Sequence, residues 1–545
     1  MRSAFPYFSN VENRPLELPW KTVLLLCIPG LIAGAILRVW LLSTIPEAYY
    51  GPDGGSYWHT AVRLWTEGNL SMVDKRRWLY PAFLCLLPML PASPIQAIAV
   101  LQHALGLLMI FGGGMIVSRC TKFPKIWIPP AALALATWPQ TLWLEHSLET
   151  ETCLVATFMA VVWIGLSPTP AFSARRLFWF LLAAALVAAW KPHGRGIWLA
   201  CLLVAIWKNG DPRRWARRCW AAIIFAVVVM ASSGSSGQGN WLLLNSVLPL
   251  VPLQGTAFPA ERAALQPLLL EARSVRNNYP WEQENFKYRL NSTKPEVVSA
   301  DWSAIARDGK RFSKICRAFA FEALRAEPLA FVRFTLQKIG ISLSENGYTN
   351  RLEPKKFWRA QNEENSVRWK KRLKEMNLLY RMDAVEYTQL ARHRAEKTSA
   401  LPGVIRHIAQ GWGWFRENSS EGDHSLGLRL SGWLALGGLL VCGLGQNLKK
   451  FSVIWLPAAF YTVTVYAVGD RIARYAYPLN WLGVILVAVF FDQLLQLIST
   501  FMKTGSTAQQ SAPPTPPPSA TLPDASRRSA TSFPANPFSH PIPPR

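Results

Sequence analysis

Charge is what this chain has least of. Only 17% of its 545 residues are Asp, Glu, Lys or Arg, where soluble domains carry about a quarter. Half of the residues are hydrophobic, the mean hydropathy is +0.13, and the apolar runs reach membrane-spanning length. A purely soluble enzyme is thereby excluded. Acidic residues are scarcer than basic ones, 33 against 58 Lys and Arg, a formal net charge of +25. In a soluble chain that excess would point first to nucleic acid, because clustered cations neutralise phosphates. Here its location must be known before it is interpreted. The cysteines show no disulfide framework or metal spacing: Cys27, Cys120, Cys153, Cys201, Cys219 and Cys442 lie in or beside apolar runs, and Cys316 sits well inside a polar region. No small-residue cleavage site follows the first apolar stretch, Trp20 to Thr44. That stretch is too long for a signal sequence and reads as a retained span.

Measured against the roughly 20 residues that cross a bilayer, the apolar stretches give candidate spans at 20–44, 95–118, 127–144, 151–168, 177–190, 194–208, 218–234, 426–445, 451–468 and 476–499. The expected fold is an all-α polytopic membrane protein with about ten transmembrane helices. Trp78 to Leu90 is apolar but broken by Pro81 and Pro88, and suits a re-entrant or interfacial helix or part of a span. Residues 501–545 form a Pro-rich tail that cannot bury a core, expected to be disordered.

Lys and Arg in short loops set the orientation. Arg119, Lys122 and Lys125, then Arg175 and Arg176, then Lys208, Arg213, Arg214, Arg217 and Arg218, then Lys449 and Lys450 fall on one side of this span list. That side, with residues 1–19 and the tail, reads as cytoplasmic. The other face carries 45–80, short links near 145–150, 191–193 and 469–475, and a polar insertion over 235–425. Apolar residues recur three and four apart in Ser303 to Leu324 and Pro328 to Leu343, so the insertion is expected to be a mostly helical extracytoplasmic domain. Pro328 to Leu343, with Arg333 and Lys338 among Phe and Leu, suits either a helix at the bilayer surface or a buried helix of that domain. The excess charge divides between this domain and the cytoplasmic loops. It favours membrane lipid phosphates over nucleic acid as partners.

Chemistry should lie on the outer face. Asp53 follows a Gly-Pro turn and precedes two glycines, with Tyr57, Trp58 and His59 behind it, which suits a helix cap or a presented carboxylate. Lys75, Arg76 and Arg77 precede Leu79-Tyr80-Pro81, and such cations either reach lipid head groups or clamp a phosphate. Glu145, Glu149 and Glu151 stand at the boundary between two spans, with the spacing of the first two placing them on one helical face. Carboxylates entering a membrane helix are costly and usually functional, and the plain alternative is a solvated turn with a helix-dipole carboxylate. Lys191 and His193 occupy the next outer link, and Asp470, Arg471 and Arg474 the last.

In sequence order, Arg38 late in the first span, Asp53 and Tyr57 in a PD-x-x-x-Y segment, and Arg76 before Leu79-Tyr80-Pro81 form the first half of a pattern. Pro139 with Thr150-Glu151, Lys191-Pro192, and Arg474-Tyr475 with Pro478 complete it. With this order the chain resembles the GT-C superfamily of polyprenyl-phosphate-sugar-dependent glycosyltransferases, in particular members similar to protein mannosyltransferases and the aminoarabinose transferase of lipid A. The resemblance covers about 20–235 and, more weakly, 425–500. Lys191 stands where Arg is usual in the family, and 235–425 shows no family motif, which leaves the acceptor open.

The resemblance implies a GT-C-like bundle in a bacterial inner or plasma membrane. A sugar would pass, with inversion, from a polyprenyl-phosphate donor to a glycan, lipid or protein acceptor on the outer side. Asp53 would be the general base. Glu151 would be the second acidic group, with Glu149 its substitute. Arg76 or Arg77, Lys191 and Arg474, with Arg471 in reserve, would stabilise the departing phosphate. Tyr57, Tyr80 and His193 would contact substrate. No cofactor is required, although some members use a divalent cation. Two other classes remain open on sequence: a non-catalytic protein that binds lipid-linked glycan or helps assemble the envelope, and a lipid-linked saccharide transporter. Transport predicts repeated halves and charged or broken mid-membrane helices. No repeat is evident, and the spans are largely free of interior charge, Arg38 excepted.

Overall fold

The computed structural model describes residues 18–44, 46, 48, 54–68, 79–87, 94–166, 171–209, 220, 222–228, 238–295, 297–344, 426–443, 447–467 and 477–510. The first part of the chain forms helices α1 (Trp20–Thr44), α2 (Gly54–Glu67), α3 (Leu79–Leu84), α4 (Pro94–Cys120), α5 (Pro124–Thr137), α6 (Pro139–Glu145), α7 (Glu151–Gly165), α8 (Ala174–Trp190) and α9 (Gly194–Asn209), with a helical stretch at 222–228. A second series follows: α10 (Gln238–Val247), α11 (Pro259–Ser274), α12 (Tyr279–Leu290), α13 (Ala300–Arg307), α14 (Gly309–Ala326) and α15 (Pro328–Ser344). The last part holds α16 (Leu426–Gly443), α17 (Ser452–Thr462) and α18 (Tyr477–Gln510). The described residues beyond Leu494 belong to a separate unit, the end of α18.

Three of these helices are long and apolar enough to cross a membrane: Trp20–Ser43, Ile95–Cys120 and Tyr477–Thr500. Glu151–Gly165 and Ser452–Ala467 are shorter apolar stretches. The chain is a membrane protein. Its first core is the interior of the helical bundle, where α1 packs on α4 and α5, α7 on α4 and α8, and α9 on α8 and α17. Close approach depends on small residues, as between membrane helices generally. A Cβ at Gly30 would stand 2.6 Å from the Ala132 backbone, so α1 and α5 touch main chain to main chain there.

Three of the basic residues expected in cytoplasmic loops stand at helix ends and have a structural task there. At the C-terminus of α7, Arg119 donates to the Trp163 carbonyl at 2.7 Å, Arg176 to Ile164 at 2.6 Å, and Lys208 to Gly165 at 3.2 Å. A helix end leaves its last carbonyls without intrahelical partners and carries partial negative charge, and three cations from the ends of α4, α8 and α9 satisfy it. On the same side Asp492 of α18 accepts from Lys122 N at 2.8 Å, Phe123 N at 2.9 Å and Trp127 Nε1 at 3.1 Å, holding the start of α5.

A second core joins α10 to α15 around Leu269, Tyr279, Trp302, Phe312, Ile315 and Phe319. The single helix expected over Ser303 to Leu324 is two, because Asp308 turns the chain and caps α14, accepting from Lys310 N at 3.2 Å and Arg311 N at 3.1 Å. Cys316, expected in a polar region, is fully buried in this core, and desolvation pushes its thiol well up from 9.0. Arg311 donates to Glu261 and Arg289 to Glu271; each guanidinium holds its partner carboxyl below 4.5, and Arg289 is itself raised. The last helix runs on to Gln510, past the expected boundary of the tail, and no proline stands between Pro478 and Pro513 to stop it sooner.

Candidate active site at the start of the seventh helix

α6 ends at Glu145, and α7 begins at Glu151. Between them residues 146–150 turn sharply, and all seven residues from Glu145 to Glu151 are buried. Glu145 and Glu149 therefore do not share a helical face, contrary to their spacing. His146 and the turn after it end α6 before the next repeat. Glu151 at the N-terminus of α7 and the cation-capped Gly165 at its C-terminus are separated by about 22 Å of helix. The acidic turn and the loop cations are thus at opposite ends of one element.

Two buried ionic systems hold this turn. In the first, Arg38 Nη2 of α1 donates to Glu145 Oε1 at 2.6 Å, and Arg38 Nη1 donates to the Gly34 and Ala136 carbonyls at 3.1 and 3.3 Å. His103 Nδ1 lies 3.0 Å from Glu145 Oε2, and His103 Nε2 lies 3.0 Å from His146 Nδ1. A carboxylate facing Arg38 accepts, so His103 Nδ1 carries a hydrogen, and a single proton is shared between the two rings. Gly106 makes room for this arrangement, since a Cβ there would collide with the Glu145 carboxylate. Gln102 bonds the turn from the side, donating to the carbonyls of Glu145 at 2.9 Å and Ser147 at 2.6 Å, and accepting from the Tyr80 hydroxyl at 3.1 Å.

In the second system, Lys191 at the C-cap of α8 donates to Glu151. Both are buried, at 4% and 2% exposure, and Glu149, two residues before Glu151, is buried at 1%. Paired burial of this kind is tolerated in an apolar bundle only because each charge meets its opposite. Tyr57 and Tyr80 are fully buried and meet edge to face with centroids 5.1 Å apart, while Trp190, next to Lys191, stands 6.3 Å from Tyr80. Leu148 and Cys153 join these aromatics in a third, small apolar cluster. Gly54, which follows Asp53 in the chain, lies against Leu148, where a Cβ would come 2.8 Å from the carbonyl oxygen. Tyr477, three residues after Arg474, is buried in the field of Glu145, Arg38 and Glu151, and Asn480 donates to Gln140 Oε1 at 2.8 Å. The apolar helix α17 widens into a π-helical turn at Val463–Ala467, a distortion common near functional sites.

Of the residues singled out in the sequence, the structure therefore brings Glu149, Glu151, Lys191, Tyr57 and Tyr80 into one region. His193 is half-buried in the turn that follows Lys191. Asp53, Arg76, Arg77, Arg471 and Arg474 lie outside the described residues. Among the described residues no group of His, Cys, Asp and Glu is arranged to hold a metal ion.

Two solved structures are similar to this chain. One is ArnT from Cupriavidus metallidurans bound to undecaprenyl phosphate, 12% identical over 80% of this chain and 85% of that one, with a TM-score of 0.31. The other is ArnT from the same organism in the apo state, 14% identical over 78% and 83%, with a TM-score of 0.31. No family model matches the chain, and no curated protein does. At that score the likeness carries no weight for the chemistry, which stands on the residues of the site.

The sequence reading missed His103, Gln102 and His146 and gave Glu145 no partner. The signal was present in part. Gln102 and His103 interrupt the apolar run of α4, and a polar pair inside a membrane helix is a functional mark.

Proposed function

We propose that this chain is an integral membrane glycosyltransferase, transferring a sugar with inversion from a polyprenyl-phosphate-linked donor to a glycan, lipid or protein acceptor at the outer membrane face. About ten helices would cross the bilayer, with 235–425 as an extracytoplasmic domain. The observation that carries this reading is the buried Lys191–Glu151 pair, which sits beside Glu149 and the Tyr57–Tyr80 contact at the end of α7 opposite the loop cations.

The chemistry follows from the residue types. A phosphate leaves a sugar as a stabilised anion, so its departure needs fixed positive charge more than a proton donor. Lys191 is a buried amino group held in place by Glu151, which orients it for a phosphate to share. Arg76 or Arg77 and Arg474, with Arg471 in reserve, would complete the clamp. Asp53 would take the proton from the acceptor as it attacks the anomeric carbon. Glu149 stands ready beside Glu151. Tyr57, Tyr80 and His193 would line the place of the sugar.

The test is donor turnover by purified protein in vesicles that contain a polyprenyl-phosphate sugar. Asp53→Asn should abolish transfer and leave donor binding intact, because it removes a base and almost no volume. Lys191→Ala should weaken donor binding. Near-normal turnover in the first variant would remove the base, and donor binding with no turnover in the parent chain would favour the non-catalytic reading.

A further inference from the structure

α15 belongs to two cores at once. Phe334 is buried in the core of the second helical series, and Lys338 beside it is 1% exposed and donates to Ser246 Oγ of α10 at 3.3 Å. One residue further on, Ile339 packs against the core of the membrane bundle. The helix also contacts α16 and the π-turn that follows α17. α15 is the strut where the helical domain meets the bundle.

Its opposite face is apolar and open. Leu329, Val332 and Leu336 recur three and four apart and are 83%, 50% and 62% exposed. Arg333 is exposed among them. The elements that α15 touches also expose apolar residues, Leu436 and Leu440 of α16 and Val463 of the π-turn. α16 is an apolar helix whose interior face, at Cys442, is buried in the bundle core, so its outer face is the surface a bundle shows to lipid.

We infer that α15 is embedded in the membrane, with Leu329, Val332 and Leu336 in contact with acyl chains as a continuation of the lipid-facing surface of α16. The two readings of this helix left open by the sequence are then both partly right. Its inner face is a core face of the helical domain, and its outer face is a lipid face. Arg333 has the length to carry its guanidinium from that stripe to head-group phosphates while its stem stays in apolar surroundings. The domain is thereby fixed against the bilayer by a helix that is part of its own core.

The test uses the full chain reconstituted in vesicles of phosphatidylcholine and phosphatidylglycerol, with a photo-crosslinking benzophenone side chain placed singly at Leu329, Val332 or Leu336, and at Lys310 as a control. Mass spectrometry then reads covalent phospholipid adducts. The expected result is adducts at Leu329, Val332 and Leu336 at least about fivefold above those at Lys310, because only the embedded stripe meets acyl chains. Adducts at all four positions to the same extent would overturn the inference. So would adducts to residues 345–425 in place of lipid, since the stripe would then be covered by the chain itself. Each position is already exposed and accepts a large side chain without repacking, and a fifth label at Leu440 confirms that the bundle surface is in lipid in the same sample.

Discussion

Replacing Glu145 with Ala should be among the most damaging single changes in the bundle. Arg38 is 1% exposed and, among the described residues, pairs with the Glu145 carboxylate at 2.6 Å. The variant leaves that guanidinium buried with only the Gly34 and Ala136 carbonyls, and strips His103 of its acceptor. Removing one member of a buried ion pair costs about 3–5 kcal/mol, two to nearly four decades in the folding equilibrium, chiefly through the uncompensated charge left behind. Arg38→Met in the same chain removes that charge and keeps much of the volume, so the double variant should recover at least about 2 kcal/mol over Glu145→Ala. Gly106→Ala extends the cycle. In the parent chain its new Cβ meets the Glu145 carboxylate, an overpacking cost of about 1–3 kcal/mol, and in the Glu145→Ala background most of that cost should vanish. Reversible unfolding in mixed micelles, titrated with dodecyl sulfate and followed by far-UV circular dichroism, measures all of these. Glu145→Ala within about 0.5 kcal/mol of the parent would refute the reasoning, as would a double variant no more stable than the single one.

Asp492→Ala should cost about 2–3 kcal/mol in the same titration, because two backbone N–H groups and the Trp127 indole lose their acceptor together; a neutral outcome would show that the start of α5 is held by packing alone. The second helical core should weaken on acidification. Glu261 and Glu271 are held below 4.5 by Arg311 and Arg289, so their contribution is fully present above that value and is lost as the pH falls through the lowered ones. Hydrogen exchange of α11 and α14 between pH 6 and pH 3 should show progressive loss of protection, and Glu261→Gln with Glu271→Gln should flatten that dependence. An unchanged acid limb in the double variant would place the acid sensitivity elsewhere.

Several helices of the bundle were legible because they had to cover their backbone within one apolar run, whereas the run from 127 to 144 is two helices, α5 and α6, parted at Trp138 before Pro139. The run from 20 to 44 is α1, the run from 95 to 118 is α4 within two residues at each end, and the run from 194 to 208 is α9 with one residue more. Length and hydropathy suffice for this, since in lipid a helix satisfies its own N–H and C=O groups without a partner. Boundaries went astray where a local cap or turn competed with the periodicity. Asp308 split a helix that apolar spacing ran together, and the turn after His146 separated two glutamates that spacing placed on one face.

The candidate site was half legible. Glu151 and Lys191 were chosen for their position at a membrane boundary, and a charge at such a boundary is conspicuous against apolar neighbours. Their pairing across 40 residues was not visible, and neither was that of Arg38 with Glu145 across 107. By itself the sequence determined that this is a basic, helical membrane protein with its acidic turn and its loop cations at separate places along the chain. Only the tertiary structure decided that Arg119, Arg176 and Lys208, from three helix ends, converge on one end of α7 while the glutamates, His103 and Lys191 converge on the other. The physical reason is that burial in apolar surroundings costs each charge far more than its own segment can return, so the partner must come from another helix, and which one is a property of the packing.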